Sequence, residues 1–146
     1  MGFLTSERVI SSTKWIFDGS GGMRDQLEQC ILNTLQRKGY PLRTKIETVK
    51  SGGIFGSKDQ CVTIETGGKK RIVISNTTVG TYLYVGVYLL APFSNLNGQA
   101  AYVEPVTDLF AMQQLDAVYA AAVAASESAF DELGLVQTNK GYKRNV

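Results

Sequence analysis

The stretch that most constrains the fold is TYLYVGVYLL, residues 81 to 90, because it is apolar at nearly every position. Alternate residues of a β-strand point to opposite faces of a sheet. One face of this strand carries Leu83, Val85, Val87 and Leu89, and the other carries Tyr82, Tyr84 and Tyr88. A strand that is apolar on both faces is central in its sheet or covered on both sides. The sequence therefore predicts a layered protein built around this strand.

The flanking segments predict the element order β-α-β-β-β-β-α. Alternation and β-branched residues indicate strands over Arg8–Phe17, Arg43–Lys50, Gln60–Thr66 and Lys70–Ser75. Apolar residues at helical spacing predict helices over Met23–Arg37 and Val106–Leu133, with Asp108 in the first turn of the second and Gly134 at its end. Turns are expected at Gly67-Gly68 and Asn76–Gly80, and a loop at Pro92–Pro105. We expect one α+β domain, residues 1–134, in which an antiparallel sheet is covered on one face by a short helix and a long carboxy-terminal helix. The basic tail, residues 135–146, is expected to be mobile.

This element order and the long last helix resemble the helix-grip fold of lipid and plant-pollen-type ligand carriers, and also the TATA-box-binding protein. The resemblance implies an antiparallel sheet that carries the long carboxy-terminal helix on one face. No motif of either family is matched, so the resemblance assigns no residue a role, and fold alone does not define function.

Composition argues against several classes of protein. The chain has 146 residues, enough for one continuous core, and its net charge of +2 is low for a dedicated nucleic-acid binder. It contains no histidine, which removes Ser-His and Cys-His nucleophile pairs and most zinc sites. Cys30 and Cys61 are interpreted as two reduced thiols, with a disulfide as the alternative. We therefore expect no enzyme activity and no metal or cofactor. Because no signal peptide or stretch of ~20 apolar residues is present, we expect a cytoplasmic protein.

The segment KSGGIFGSK, Lys50 to Lys58, contains glycine, serine and lysine but not at phosphate-loop spacing, and a strand rather than a helix follows it. It is interpreted as a hairpin tip. Ile54 and Phe55 either fold back onto the core or form an interaction tip for a protein partner, a cavity mouth or a lipid surface. In the last case Lys50 and Lys58 would meet anionic headgroups.

The tyrosine positions of the apolar strand allow two interpretations. A stacking platform for nucleic-acid bases needs nearby positive charge, and residues 72–139 contain no Lys or Arg. A covered face is favoured. If the long helix packs against it, an amphipathic cavity would form. Its expected ligand-binding residues are Tyr82, Tyr84, Gly86, Tyr88, Tyr119 and Ala121.

Charge is unevenly divided along the chain. Residues 37–71 hold nine basic and three acidic residues, whereas residues 72–139 hold six acidic residues. Solvated faces and lysine protection of strand edges explain this pattern, and so does association with an acidic surface or a second copy. The favoured function is a non-enzymatic binding module that holds a small apolar or amphipathic ligand between the sheet and the long carboxy-terminal helix. The alternative is a protein-interaction or assembly module, a homo-oligomer or a peripheral membrane adaptor, that uses Ile54, Phe55 and the charged faces.

Overall fold

The structure, a computed structural model, describes residues 6–38, 43–50, 58–66, 68–93, 95–96, 99–100, 109–136 and 144–145. It contains an antiparallel sheet and two α-helices, as expected for an α+β protein. The elements are β1 Ser6–Phe17, α1 Arg24–Arg37, β2 Thr44–Lys50, β3 Lys58–Glu65, β4 Arg71–Val79, β5 Tyr82–Phe93, β6 Asn95–Leu96, β7 Gln99–Ala100, α2 Leu109–Glu132 and β8 Arg144–Asn145.

The main sheet has the order β2-β3-β4-β5-β1-β8, and each neighbouring pair is antiparallel. The apolar strand β5 lies between β4 and β1, which confirms its interior position. The pairing of β1 with β5 runs from Phe17 opposite Leu83 to Ser6 opposite Phe93. A β-bulge interrupts the register between Val9 and Ser11. Strands β6 and β7 form a separate two-stranded ribbon.

The hydrophobic core lies on one face of the sheet, where both helices pack. The Leu83 and Val85 side chains of β5 are buried there, next to Trp15 and Phe17 of β1. The Phe130 ring of α2 meets those of Trp15 and Phe17 edge to face, with centroid separations of 5.0 and 4.6 Å. The other main contacts of α2 are small and buried: Ala122, Ala125, Ser126 and Ala129. Small residues let the helix backbone approach the sheet closely.

Strand β4 is longer than the sequence predicts. The turn expected at Asn76–Gly80 is wrong, because residues 76 to 79 continue the ladder and pair with residues 85 to 82 of β5. The reversal occurs at Gly80 and Thr81, where Gly80 adopts a φ of 60° that favours glycine. The β-branched residues Thr77, Thr78 and Val79 suit an extended strand, and this preference outweighs the turn tendency of Asn76.

Strand β5 also extends beyond its predicted end and takes in Pro92 and Phe93, and the short strands β6 and β7 lie within the stretch that the sequence predicts as a loop. Pro92 pairs with Glu7 of β1. On its other side, the ladder with β4 ends at Arg71 opposite Leu90. A proline is tolerated where only one neighbouring strand requires hydrogen bonds.

The carboxy-terminal end of α2 confirms its predicted cap. Gly134 has a φ of 70°, and the Leu135 N–H donates a 2.8 Å hydrogen bond to the Phe130 carbonyl. Asp108 lies outside the described residues. Within the stretch expected to be a mobile tail, Arg144 and Asn145 pair with Lys14 and Thr13 of β1. No helix in the described ranges has both the length and the apolar content needed to cross a bilayer.

Candidate functional site

The residues predicted to line one ligand cavity lie on two different faces of the sheet. Because α2 packs on the face that carries Val85, strand alternation places Tyr84 and Tyr88 on the opposite face. Tyr82 and Gly86 lie on this opposite face too, whereas Tyr119 and Ala121 belong to α2. The structure does not bring the six residues together. The Leu and Val positions of β5 align with Trp15 and Phe17. This face is therefore more apolar than the face that carries the tyrosines, and the helices pack on it.

The interface between α2 and the sheet is closed around its centre. Val85, Val87, Ala122 and Ala129 have no exposed surface, so none of them borders a void that could hold a water molecule. The Tyr119 hydroxyl donates to the Val87 carbonyl at 3.3 Å and accepts from Thr13 Oγ1 at 2.9 Å. Burial raises the pKa of Tyr119. Tyr119 therefore attaches α2 to β1 and β5.

On the other face, the Tyr88 ring lies directly over Gly86. A Cβ atom built on Gly86 would stand 2.5 Å from ring atoms Cε2 and Cζ of Tyr88, closer than real Cβ contacts allow. Glycine is thus required for the ring to lie along the strand. The Tyr88 ring is half-buried in this position.

Strand β1 supplies polar partners to this tyrosine site. Across the ladder, Ser12 lies opposite Tyr88, Lys14 opposite Gly86 and Ile16 opposite Tyr84. The Lys14 ammonium is 5.8 Å from the centre of the Tyr88 ring, within range of a cation–π contact. Ser12 is 1% exposed, and its hydroxyl has no hydrogen-bond partner within the described part of the chain.

We call Tyr82, Tyr84, Gly86, Tyr88, Lys14 and Ser12 the tyrosine face. Tyr82 is 46% exposed, whereas Tyr84 and Tyr88 are half-buried. The set contains three phenol rings with their hydroxyls, one cation and the aliphatic hydroxyl of Ser12. Sequence reasoning missed Lys14 and Ser12 because they are about 70 residues from β5 along the chain. Only the register of β1 against β5 identifies them, and no local pattern encodes it.

A second polar cluster lies where α1 begins. Arg24 donates from Nε to the Asn76 carbonyl at 2.7 Å, and from Nη2 to Asp59 Oδ1 at 2.8 Å and the Gln60 carbonyl at 3.1 Å. Glu28 Oε2 is 4.0 Å from Arg24 Nη2, and Glu28 is 4% exposed. Burial raises the pKa of Glu28, although Arg24 opposes the shift.

This cluster holds buried polar atoms whose hydrogen-bonding capacity is unmet. Glu28 Oε2 and both side-chain polar atoms of Asn76 have no hydrogen-bond partner among the residues that the structure describes. Buried polar groups without partners cost stability. The cluster therefore marks a site of local instability between α1 and the sheet.

The two cysteines are both free, which is the predicted state. Cys30 lies in an open groove of about 330 Å³ between α1 and the end of α2, lined mainly by amide and charged side chains. Its thiol donates to Glu132 Oε2 at 3.4 Å, and burial and Glu132 raise its pKa. Burial also raises the pKa of Cys61. Both thiols are therefore protonated at neutral pH and are poor nucleophiles.

The predicted interaction tip is described only at its base. Lys50 ends β2 and Lys58 begins β3, and the two residues face each other across the ladder. Ile54 and Phe55 lie outside the described residues. Among the residues that are described, no group of three or more Cys, Asp or Glu is placed to hold a metal ion.

Comparison with known proteins places the chain in no family. No model of a protein family matches it, and no curated protein matches it either. Among solved structures, it is similar to the open form of the exocytosis-sensitive phosphoprotein pp63/parafusin, a phosphoglucomutase from Paramecium, with a TM-score of 0.45 and 10% identity. The match covers 82% of this chain and 20% of that protein, so the chain spans about a fifth of its length.

Proposed function

We propose that this protein is a non-enzymatic binding module whose ligand contacts the tyrosine face. The observation that carries the proposal is the Tyr88 ring lying over Gly86, beside the Lys14 ammonium. The ligand is a small amphipathic molecule with a flat apolar body and an acidic group. We also propose that the sheet and helices are layered as in the helix-grip fold, which we inferred from the element order. The ligand would lie on the face of the sheet away from α2.

The chemistry of the face supports this class of ligand. An apolar ring stacks favourably on tyrosine, and a carboxylate or sulfonate beside the stacked ring would lie near Lys14. Ser12 provides a hydroxyl whose hydrogen bond is unmet in the described structure. Because Ser12 is 1% exposed, a ligand would accept this hydrogen bond only after the side chains that cover the hydroxyl move aside.

The test compares two substitutions that separate the tyrosine face from a cavity under α2. Gly86→Ala places a Cβ where the Tyr88 ring lies, so the ring must rotate away while the strand persists. Ala121→Leu enlarges a residue of α2 and leaves the tyrosine face intact. Binding of anilinonaphthalene sulfonate, a flat apolar probe with one acidic group, is measured by fluorescence titration. We expect at least tenfold weaker binding for Gly86→Ala and unchanged binding for Ala121→Leu.

Lys14→Met tests the contribution of the charge separately. It should reduce the affinity for the sulfonate probe more than the affinity for an uncharged naphthalene. Native mass spectrometry of the wild-type protein would detect a ligand retained during purification. Loss of probe binding in Ala121→Leu but not in Gly86→Ala would move the site to the helix side of the sheet. Equal binding by all variants would contradict the proposal.

A second function, that of an interaction or assembly module, is favoured by the amino-terminal half of α2. Its first turn exposes Leu109 and Phe110, the latter at 75%. Asp116 lies one turn beyond the exposed Met112, and the sequence of α2 contains no basic residue. Exposed apolar side chains beside negative charge suit a partner surface that is apolar and basic.

The paired variant Leu109→Ser and Phe110→Ser tests this second function. Sedimentation velocity should show self-association of the wild-type chain that this variant loses, with an unchanged melting temperature. A lower melting temperature would show that these side chains stabilise the fold. Identical sedimentation of the two proteins would remove the second function.

A further inference from the structure

Strand β2 forms an edge of the sheet, because β3 is its only neighbour among the described strands. The Glu65 N–H donates to the Arg43 carbonyl at 3.0 Å, so this pair is hydrogen-bonded in the ladder. Hydrogen-bonded pairs alternate along an antiparallel ladder. The backbone groups of Thr44, Ile46 and Thr48 therefore point away from β3, toward the free side of the edge.

Such an edge binds another strand readily unless the protein blunts it. The opposite edge of the sheet is blunted in the described structure, since β1 carries a bulge at Val9–Ser11 and pairs with β8 at Thr13 and Lys14. Strand β2 continues for seven residues with neither device, and Lys45, which could protect an edge as a free charge, is paired with Glu47 and Glu65.

We propose that two copies of this chain pair through β2, antiparallel, about a twofold axis at Ile46. In this register, Ile46 lies opposite its own copy and Thr44 lies opposite Thr48. All three residues have outward backbone groups, so the hydrogen bonds of the new ladder are satisfied. Lys45 then lies opposite Glu47 of the second copy, and the axis repeats this pair.

Charge selects this register over its neighbours. A shift of the partner by two residues places Glu47 opposite Glu47 or Lys45 opposite Lys45, and like charges directly opposite are unfavourable. Lys45 and Glu47 occupy non-hydrogen-bonded positions, where side chains approach most closely. Their present contacts leave them near the edge: Lys45 Nζ is 3.4 Å from Glu47 Oε2 and both side chains are partly exposed.

The helices permit this arrangement. Helix α1 contacts β2, β3 and β4, so its axis runs over β3. With strands about 4.8 Å apart, the two α1 helices of the pair would be about 14 Å apart. Packed helices need only 8 to 10 Å, so they would not collide. The interface is a single pair of strands. We therefore expect a weak dimer with a dissociation constant on the order of 100 µM.

The test exchanges the charges. Lys45→Glu and Glu47→Lys each create two like-charge contacts in a homodimer, and each should weaken self-association at least tenfold in sedimentation equilibrium. An equimolar mixture of the two variants restores opposite charges at both contacts, so a mixed dimer should form. Nitrogen-15 labelling of one variant identifies the mixed dimer by native mass spectrometry. The double variant, Lys45→Glu with Glu47→Lys, should dimerise like the wild type.

A backbone variant provides an independent test. Thr48→Pro removes an N–H that points away from β3, so the monomer should fold while dimerisation is lost. Glu47 also contacts Thr63 and Arg71 within one copy. The melting temperatures of the variants show whether loss of these contacts destabilises the monomer. A wild-type chain that stays monomeric to 500 µM would overturn the proposal, as would a dimer that survives both Lys45→Glu and Thr48→Pro. The proposal is independent of the tyrosine face, because neither variant changes that site.

Discussion

The buried carboxyl group of Glu28 makes the stability of the folded protein depend on pH. Its pKa is raised above the ordinary value of 4.5, chiefly by burial. Between 4.5 and this raised pKa the folded state therefore binds more protons than the unfolded state. Stability falls as pH increases through this interval and stays at the lower level above it.

We predict that Glu28→Gln flattens this pH dependence and increases stability at pH 7 by on the order of 1 kcal/mol, because a buried charge is removed. Urea unfolding between pH 4 and pH 8 measures both effects. Asp131→Asn is the control, since it removes an exposed carboxylate that does not contribute to the raised pKa of Glu28. An unchanged pH slope in Glu28→Gln would show that Glu28 titrates normally in the folded protein.

The tyrosine face shows which residues can be assigned from sequence. Alternation correctly groups Tyr82, Tyr84 and Tyr88 on one side of β5, because the period of a strand is local information. Their relation to Lys14 depends on which strand pairs with β5, and that is decided by packing of the whole sheet. The positive charge that seemed absent near the tyrosines in the sequence is supplied by another strand.

At the scale of elements, α2 divides into two halves with different roles. The half that contains Ala122, Ala129 and Phe130 is buried, whereas Leu109 and Phe110 are exposed. Helical spacing predicts the helix and its apolar stripe, but a stripe does not state how far the sheet beneath it extends. The sequence accordingly predicts where the helix lies but not which of its turns are buried.

We predict that Phe130→Ala destabilises the fold by about 3 to 5 kcal/mol, since it leaves a cavity between Trp15 and Phe17. Leu109→Ala should change the free energy of unfolding by no more than about 0.5 kcal/mol, as expected for an exposed position. Urea denaturation at constant pH compares the two variants. Similar losses for both would show that the amino-terminal half of α2 is also packed.

For the whole molecule, the sequence predicts the number and kind of elements better than it predicts which face of the sheet the helices cover. Five long strands, two helices and the interior position of β5 follow from periodicity and turn residues. The face chosen by the helices does not, because both faces of β5 are apolar. Leu83 and Val85 align with Phe17 and Trp15 of β1, and Ile72 and Ile74 of β4 lie on the same side, which makes that side apolar enough to be the core. The other side keeps its tyrosines beside polar groups.

The position of β1 in the sheet has a consequence for synthesis on the ribosome. Phe17, at the end of β1, pairs with Leu83 of β5. This first pair can form only after Leu83 has been synthesised. At about 5 to 20 residues per second, that delay is roughly 3 to 13 seconds. During it, Trp15 and Phe17 emerge without the strand that will later cover their backbone. Strand β1 precedes β2, β3 and β4 along the chain but can pair with β5 only after they are made, so its aromatic residues remain without their partner strand during that interval.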